Sequence, residues 1–154
     1  MIIIEKLFFL RKTPLLAGLG EQDLLLVAAI AVDMTFEPGE TLFRQGDPGD
    51  SLYIILDGEV AIEMDGVEVN LLGNGQFFGE VAVLADLPRI AGAVARSEVS
   101  VLSIARTDFF RLFEHNRDLR LNIVREMGRR VCEISRRERQ MTSGQGWQND
   151  PGDA

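Results

Sequence analysis

EVAIEMDGVEVNLL, residues 59–72, decides the fold. Apolar and polar residues alternate on both sides of Asp65-Gly66, so each half has one face to bury and one to wet, the period of a β-strand. Asp-Gly between two such halves predicts a tight hairpin, because that turn needs positive φ at its central positions. Working outward, MTFE, ETLFRQ and SLYIIL are further short strand-like runs, parted by Pro38-Gly39, by Gly46-Asp47-Pro48-Gly49-Asp50 and by Asp57-Gly58. Beyond Gly73-Asn74-Gly75 two more strands are expected, at 90–96 and 98–105. Short strands at such even spacing predict an antiparallel β-roll or jelly roll over 34–105, closed on itself so that few edges remain.

The flanks have a different texture. Residues 2–31 read as helices: IIIEKLFFL forms one, Pro14 interrupts, Gly18-Leu19-Gly20 turns, and EQDLLLVAAIA starts another with acids in its first turn. After the roll, Thr107 and Asp108 suit a helix start before FFRLFEH. A last helix over 117–140 carries Leu119, Ile123, Met127, Val131 and Ile134 at spacings of three and four. That stripe is read as core packing. Pairing with the same stripe of a second chain, a homodimer through 117–140, stays open, although Glu138 interrupts it before Met141. The Gly-, Asn- and Asp-rich residues 141–154 are expected to be a disordered tail. The expected organisation is therefore one domain over 1–140, mainly β with flanking α: helices at 1–31, the roll, then helices at 107–140.

Composition removes several function classes. The net charge is −8, but residues 1–105 hold 6 basic and 16 acidic side chains, whereas residues 106–139 hold 10 arginines and 6 acids. An acidic body argues against wide contact with nucleic acid, and the alternating charges of 106–139 read as a solvated helix face. One Cys and one His cannot build a zinc site of the Cys- or His-rich kind; a lone Cys also excludes an internal disulfide and fits a reducing, cytoplasmic setting. No cofactor is expected. His115, at the end of a predicted helix, and Cys132 are both read as structural, so no enzyme is expected. No apolar run approaches membrane-spanning length. The opening MIIIEKLFFLRK is broken by Glu5 and Lys6 and lacks a small-residue cleavage site, so no signal peptide is expected.

One stretch asks for more than a core. In FFGEVAVLADLPRIAG, residues 77–92, Gly79-Glu80 head a short apolar run that Pro88-Arg89 closes. Gly79 permits close backbone approach, EVAVLA can form one or two helical turns with free N–H groups at its start, and Glu80 can accept from hydroxyls. Arg89 offers a planar fork suited to phosphate. Together these describe a site for a ribose phosphate. Two readings remain open here: such a site, or Glu80 and Arg89 simply paired with each other.

GEVAVLADLPRIAGAVA (79–95) resembles the phosphate-binding cassette of the cyclic nucleotide-binding domain family. FEPGETLFRQGDPGDSLYIILDGEVAI (36–62), LLGNGQFFGE (71–80) and TPLLAGLGEQDLLLVA (13–28) resemble the family's roll, its approach to the cassette and its N-terminal helices, so that the likeness runs over residues 13–140. The resemblance implies a non-enzymatic sensor. Glu80 would hold the ribose 2′-hydroxyl and Arg89 the phosphate oxygens, with backbone N–H groups of Gly79, Val81, Ala82 and Ala91 around the phosphate. Ile134 and Ser135 would lie near the purine. The chain departs from the family at Ile90, where Ala, Ser or Thr is usual, and at Gly92, where the kinase-type cassette has Thr. Ile90 cannot supply a hydroxyl to the phosphate, so cAMP is expected ahead of cGMP. The two departures also keep an alternative open, a degenerate fold acting as a ligand-independent interaction domain. The message would pass through the C-terminal helices to an unidentified effector protein, since no DNA-reading helix–turn–helix, kinase or channel segment is expected within these residues.

Overall fold

The computed structural model of the chain describes residues 1–146, and side chains through Thr142. Helix α1 (Ile3–Arg11), a single 3₁₀ turn (Pro14–Leu16) and helix α2 (Glu21–Ile30) precede the roll. The roll comprises β1 (Val32–Phe36), β2 (Thr41–Phe43), β3 (Ser51–Asp57), β4 (Val60–Met64), β5 (Val67–Leu72), β6 (Phe77–Phe78), β7 (Gly92–Ala95) and β8 (Val99–Ala105), with the short helix α3 (Glu80–Ala85) set between β6 and β7. Helices α4 (Arg106–His115) and α5 (Arg117–Gly146) follow. Two four-stranded antiparallel sheets, ordered β1-β8-β3-β6 and β2-β7-β4-β5, form a jelly roll.

The hairpin that opened the sequence reading is β4–β5, and its turn has Asp65 at φ 52° and Gly66 at φ 79°. Its partner strands explain why SLYIIL reads as an unbroken apolar run rather than an alternating one. On β3, Leu52, Ile54 and Leu56 face the helices, while Tyr53 and Ile55 face the inside of the roll. Strand β8 does the same, with Leu102 and Ile104 on the helical side and Val99 and Val101 inside. A sheet covered on both faces needs apolar residues at every position. Strand β6, which pairs through Phe77 and Phe78 with Ile54 and Tyr53, was not expected. Two residues are too few to show a period, yet they divide in the same way: Phe77 joins the helical core and Phe78 the roll interior.

Polar ties position the helices. Lys6, buried, donates from Nζ to the carbonyl of Ala31 at 2.6 Å and holds α1 against the end of α2. Asn122 donates to the carbonyls of Leu15 and Ala17 at 2.9 and 2.8 Å, which pins α5 to the turn between α1 and α2. Arg120 caps the end of α4 by donating to the carbonyls of Phe113 and Glu114. Two expectations need correction. The stripe on α5 is core only at Leu119 and Ile123, with Met127 half-buried against it; Val131 is 63% and Ile134 50% exposed. The helix leaves the helical core after about two turns and runs on beside the roll. It also continues to Gly146, past the expected end at 140, so residues 141–146 are helical rather than a disordered tail. The rest of the expected tail, 147–154, lies outside the described residues.

The loop between β2 and β3 packs directly on α3. A Cβ at Gly49 would stand 2.2 Å from the Cβ of Ala82 and 3.2 Å from the carbonyl oxygen of Leu87. Gly49→Ala is therefore expected to destabilise the fold by about 1–3 kcal/mol in urea denaturation, through overpacking. Adding Ala82→Gly should recover part of that loss, and a double variant no better than the single one would refute this contact as the cause.

Candidate functional site

The site begins where β6 ends. Gly79 takes a left-handed conformation, φ 87° and ψ 3°, and stands at the head of α3 with no side-chain cap on the helix's first N–H groups. A side chain here would be strained by its φ and would also put its Cβ 2.7 Å from Nη1 of Arg89. The glycine thus lets the guanidinium close on the backbone. Arg89 donates from Nη1 to the carbonyl of Gly79 at 2.9 Å and from Nη2 to that of Ser51 at 2.6 Å. Its guanidinium carbon lies 4.1 Å from the ring centre of Phe43 and 5.8 Å from that of Tyr53, over a cluster completed by Phe78. The residue is only 4% exposed, and its Nε is buried without a hydrogen-bond partner among the described residues. Burial lowers the arginine's pKa against the opposing pull of Tyr53, Asp50, Glu80 and Asp47.

Glu80, also 4% exposed, opens α3. It does not pair with Arg89, which closes one of the two readings left by the sequence. Its partner is Arg130 of α5, which donates from Nη1 to Oε1 at 2.9 Å. Arg130 also donates to the carbonyl of Phe77, pairs through Nε with Glu126 at 3.3 Å, and lies 4.7 Å from the ring centre of Phe77. Farther along α5, Arg137 donates from Nη1 to the carbonyl of Val69 on β5 at 2.8 Å. Two arginines therefore hold the second half of α5 to the roll.

Between them lies a cavity of about 320 Å³. Gly79, Glu80, Val81, Ala82, Arg89, Ile90 and Ala91 line one side, and Met127, Arg130, Val131 and Ile134 of α5 line another. Apolar roll residues, including Phe43, Ile62, Met64 and Leu72, complete the wall. Of the residues singled out in the sequence, Ser135 is not among those lining the cavity; it follows Ile134 on α5, and one residue is a turn of about 100° around a helix. Gly92 also lies off this cavity, on β7, with the β2–β3 loop against it. Arg130 and Asn70 were missed. The Met127–Ile134 interval contained the signal for Arg130, because a residue three after one and four before the other shares their helix face.

Burial raises the pKa of Glu80 above its ordinary 4.5, outweighing the lowering effect of Arg130. A carboxyl raised in this way binds its proton more readily folded than unfolded. Its contribution to stability is therefore fully present below the unfolded value and is lost as pH rises through the folded one. The unfolding free energy of the wild type relative to Glu80→Gln is expected to increase from neutral pH down to 4.5. A flat or opposite difference, measured by urea denaturation, would contradict the raised value.

Comparison with known proteins bears on the family and the fold. The family model described as the cyclic nucleotide-binding domain matches residues 33–116, leaving α1, α2 and α5 outside the match. A cAMP-dependent protein kinase regulatory subunit of Emericella nidulans is 39% identical over 106 residues, covering 68% of this chain and 26% of that protein. A cGMP-dependent protein kinase of Plasmodium berghei is 36% identical over 102 residues, covering 66% and 12%. The regulatory domain of Toxoplasma gondii PKA, crystallised with cAMP, superposes with a TM-score of 0.74 at 26% identity, over 82% of this chain and 50% of that one. The chain spans about a quarter of the length of the curated kinase regulatory subunits it matches. With more than half of its residues matched by that model, the chain belongs to the cyclic nucleotide-binding domain family.

Proposed function

We propose that the chain is a non-enzymatic sensor that binds a cyclic nucleotide, cAMP ahead of cGMP, in the cavity between α3 and α5. One observation carries this reading. Two oppositely charged side chains, Glu80 and Arg89, are each 4% exposed on the wall of one largely apolar cavity, and they do not neutralise each other. Burying charge is unfavourable, and an arrangement that keeps two such groups apart at a cavity suits a ligand with a hydroxyl at one end and an anion at the other. Glu80 would accept from the ribose 2′-hydroxyl. Arg89 would meet the phosphate, with the unpartnered Nε as a donor in reserve and the N–H groups of Val81, Ala82 and Ala91 nearby. Ile134 would pack on the purine. Ile90, 47% exposed, offers the phosphate no hydroxyl, which supports the preference for cAMP.

The relay would be α5. Arg130 joins that helix to the carboxylate that the ribose would occupy, so ligand binding and helix position share one group. The ligand would act by binding one helix placement better than another. An effector protein, or a second copy docking on the exposed Val124, Val131 and Met141 of α5, would read the change. Cys132, exposed and unpaired, fits a reducing, cytoplasmic setting. No helix among the described residues is long and apolar enough to cross a membrane.

Titration calorimetry with cAMP tests the site. Arg89→Ala is expected to weaken binding by about 2–4 kcal/mol, roughly 30- to 1000-fold. Arg89→Lys, which keeps the charge but loses the fork, should fall between the two. Thermal melts of the wild type with cAMP should show a raised melting temperature by mass action. Unchanged affinity in Arg89→Ala would remove the phosphate assignment, and a folded wild type that no cyclic nucleotide stabilises would leave the ligand-independent interaction domain.

A further inference from the structure

Apart from Glu80, Arg89 and Arg130, the cavity is lined by one polar side chain, Asn70. It sits on β5 opposite Ile62 of β4, two residues before the buried Leu72, and so on the strand face that lines the cavity. It stands where the cavity runs into a more polar groove of about 190 Å³ between β5 and α5, which Arg130 and Ile134 also line. Its amide orientation is fixed by a local contact: Oδ1 accepts the N–H of Leu71 at 2.9 Å. That leaves Nδ2, two N–H donors, with no protein partner among the described residues. Nδ2 can only donate.

We propose that Asn70 is a base-reading residue that donates from Nδ2 to a ring nitrogen of the bound purine. This rests on the cyclic-nucleotide reading above and adds the polar contact that the apolar wall otherwise denies the base. The chemistry is one-sided. Adenine offers three ring acceptors, N1, N3 and N7, and an exocyclic amine that only donates. Nδ2 can serve the acceptors and not the amine, so the share of the affinity it carries follows a ring nitrogen and is indifferent to the 6-amino group. A donor–acceptor pair formed inside an apolar cavity is worth most when its loss strands one partner.

The test is a double-mutant cycle by calorimetry, using cAMP, its 1-deaza, 3-deaza and 7-deaza analogues, and the cyclic phosphate of purine riboside, which lacks the amine. In the wild type one deaza analogue is expected to bind up to about tenfold more weakly than cAMP, the size of one hydrogen bond lost. In Asn70→Leu, close to isosteric, that penalty should vanish while cAMP itself weakens by a similar factor. The ratio of cAMP to purine-riboside affinity should be the same in both proteins. Three deaza analogues that all bind the wild type like cAMP would overturn the assignment, and this arm needs no variant to fold. So would a penalty that survives in Asn70→Leu. Failure of every cyclic nucleotide to bind the folded wild type would instead remove the cyclic-nucleotide reading, and this inference with it.

Discussion

The contact on which the site depends is the guanidinium of Arg89 laid over the ring of Phe43, with its fork on the carbonyls of Gly79 and Ser51. It joins the end of β6 and the segment after α3 to β2 and to the start of β3, whose Ser51 lies 38 residues before Arg89. The guanidinium donates to two backbone oxygens, and the aromatic faces offset part of the cost of taking its charge out of water. Gly79 is required twice over, by its positive φ and by the space the guanidinium occupies. Backbone bonds with Gly46 and Asp47 place the main chain of Arg89, and this tie places its guanidinium on the wall that Glu80 shares.

The second tie, Arg130 to Glu80, is of a different kind. A buried ion pair adds little net stability when formed, but losing one partner strands the other at a cost of about 3–5 kcal/mol. Such a pair suits registration better than strength. It fixes which residue of α5 stands over the cavity, with the contacts of Arg130 to Phe77 and of Arg137 to Val69 reinforcing the same placement. The first half of α5 is anchored differently, by burial of Leu119 and Ile123 and by Asn122 on the carbonyls of Leu15 and Ala17. One helix therefore has an apolar end fixed in the core and a polar end fixed by arginines, and only the polar end touches the cavity.

Much of this was legible in the residues. The β4–β5 hairpin announced itself through alternation and Asp65-Gly66, and the roll followed from the spacing of similar runs. Gly79, Glu80 and Arg89 stood out because no core needs them. What was not legible depended on distance. Strand β6 has no period because it is two residues long, and it exists because Tyr53 and Ile54 present a free edge. Arg130 meets Glu80 across fifty residues of sequence. Its helix face was visible, but its target required the third dimension. Ser135 is not among the residues lining the cavity, because a single step along a helix turns a side chain by about 100°. The stripe on α5 looked uniform in sequence, yet half of it is core and half is not, since apolar spacing does not say where a helix leaves its neighbours.

The length of α5 has a mechanical consequence. At about 1.5 Å per residue, the nine residues after Arg137, to Gly146, make an arm of about 14 Å. The helix is held by its buried first turns and by the grips at Arg130 and Arg137, so the arm beyond is a pointer. A tilt of about 10° would displace its tip by about 2 Å. An ångström-scale adjustment around Glu80 would thus reach the far end of the helix multiplied, where a neighbouring protein could tell one setting from the other.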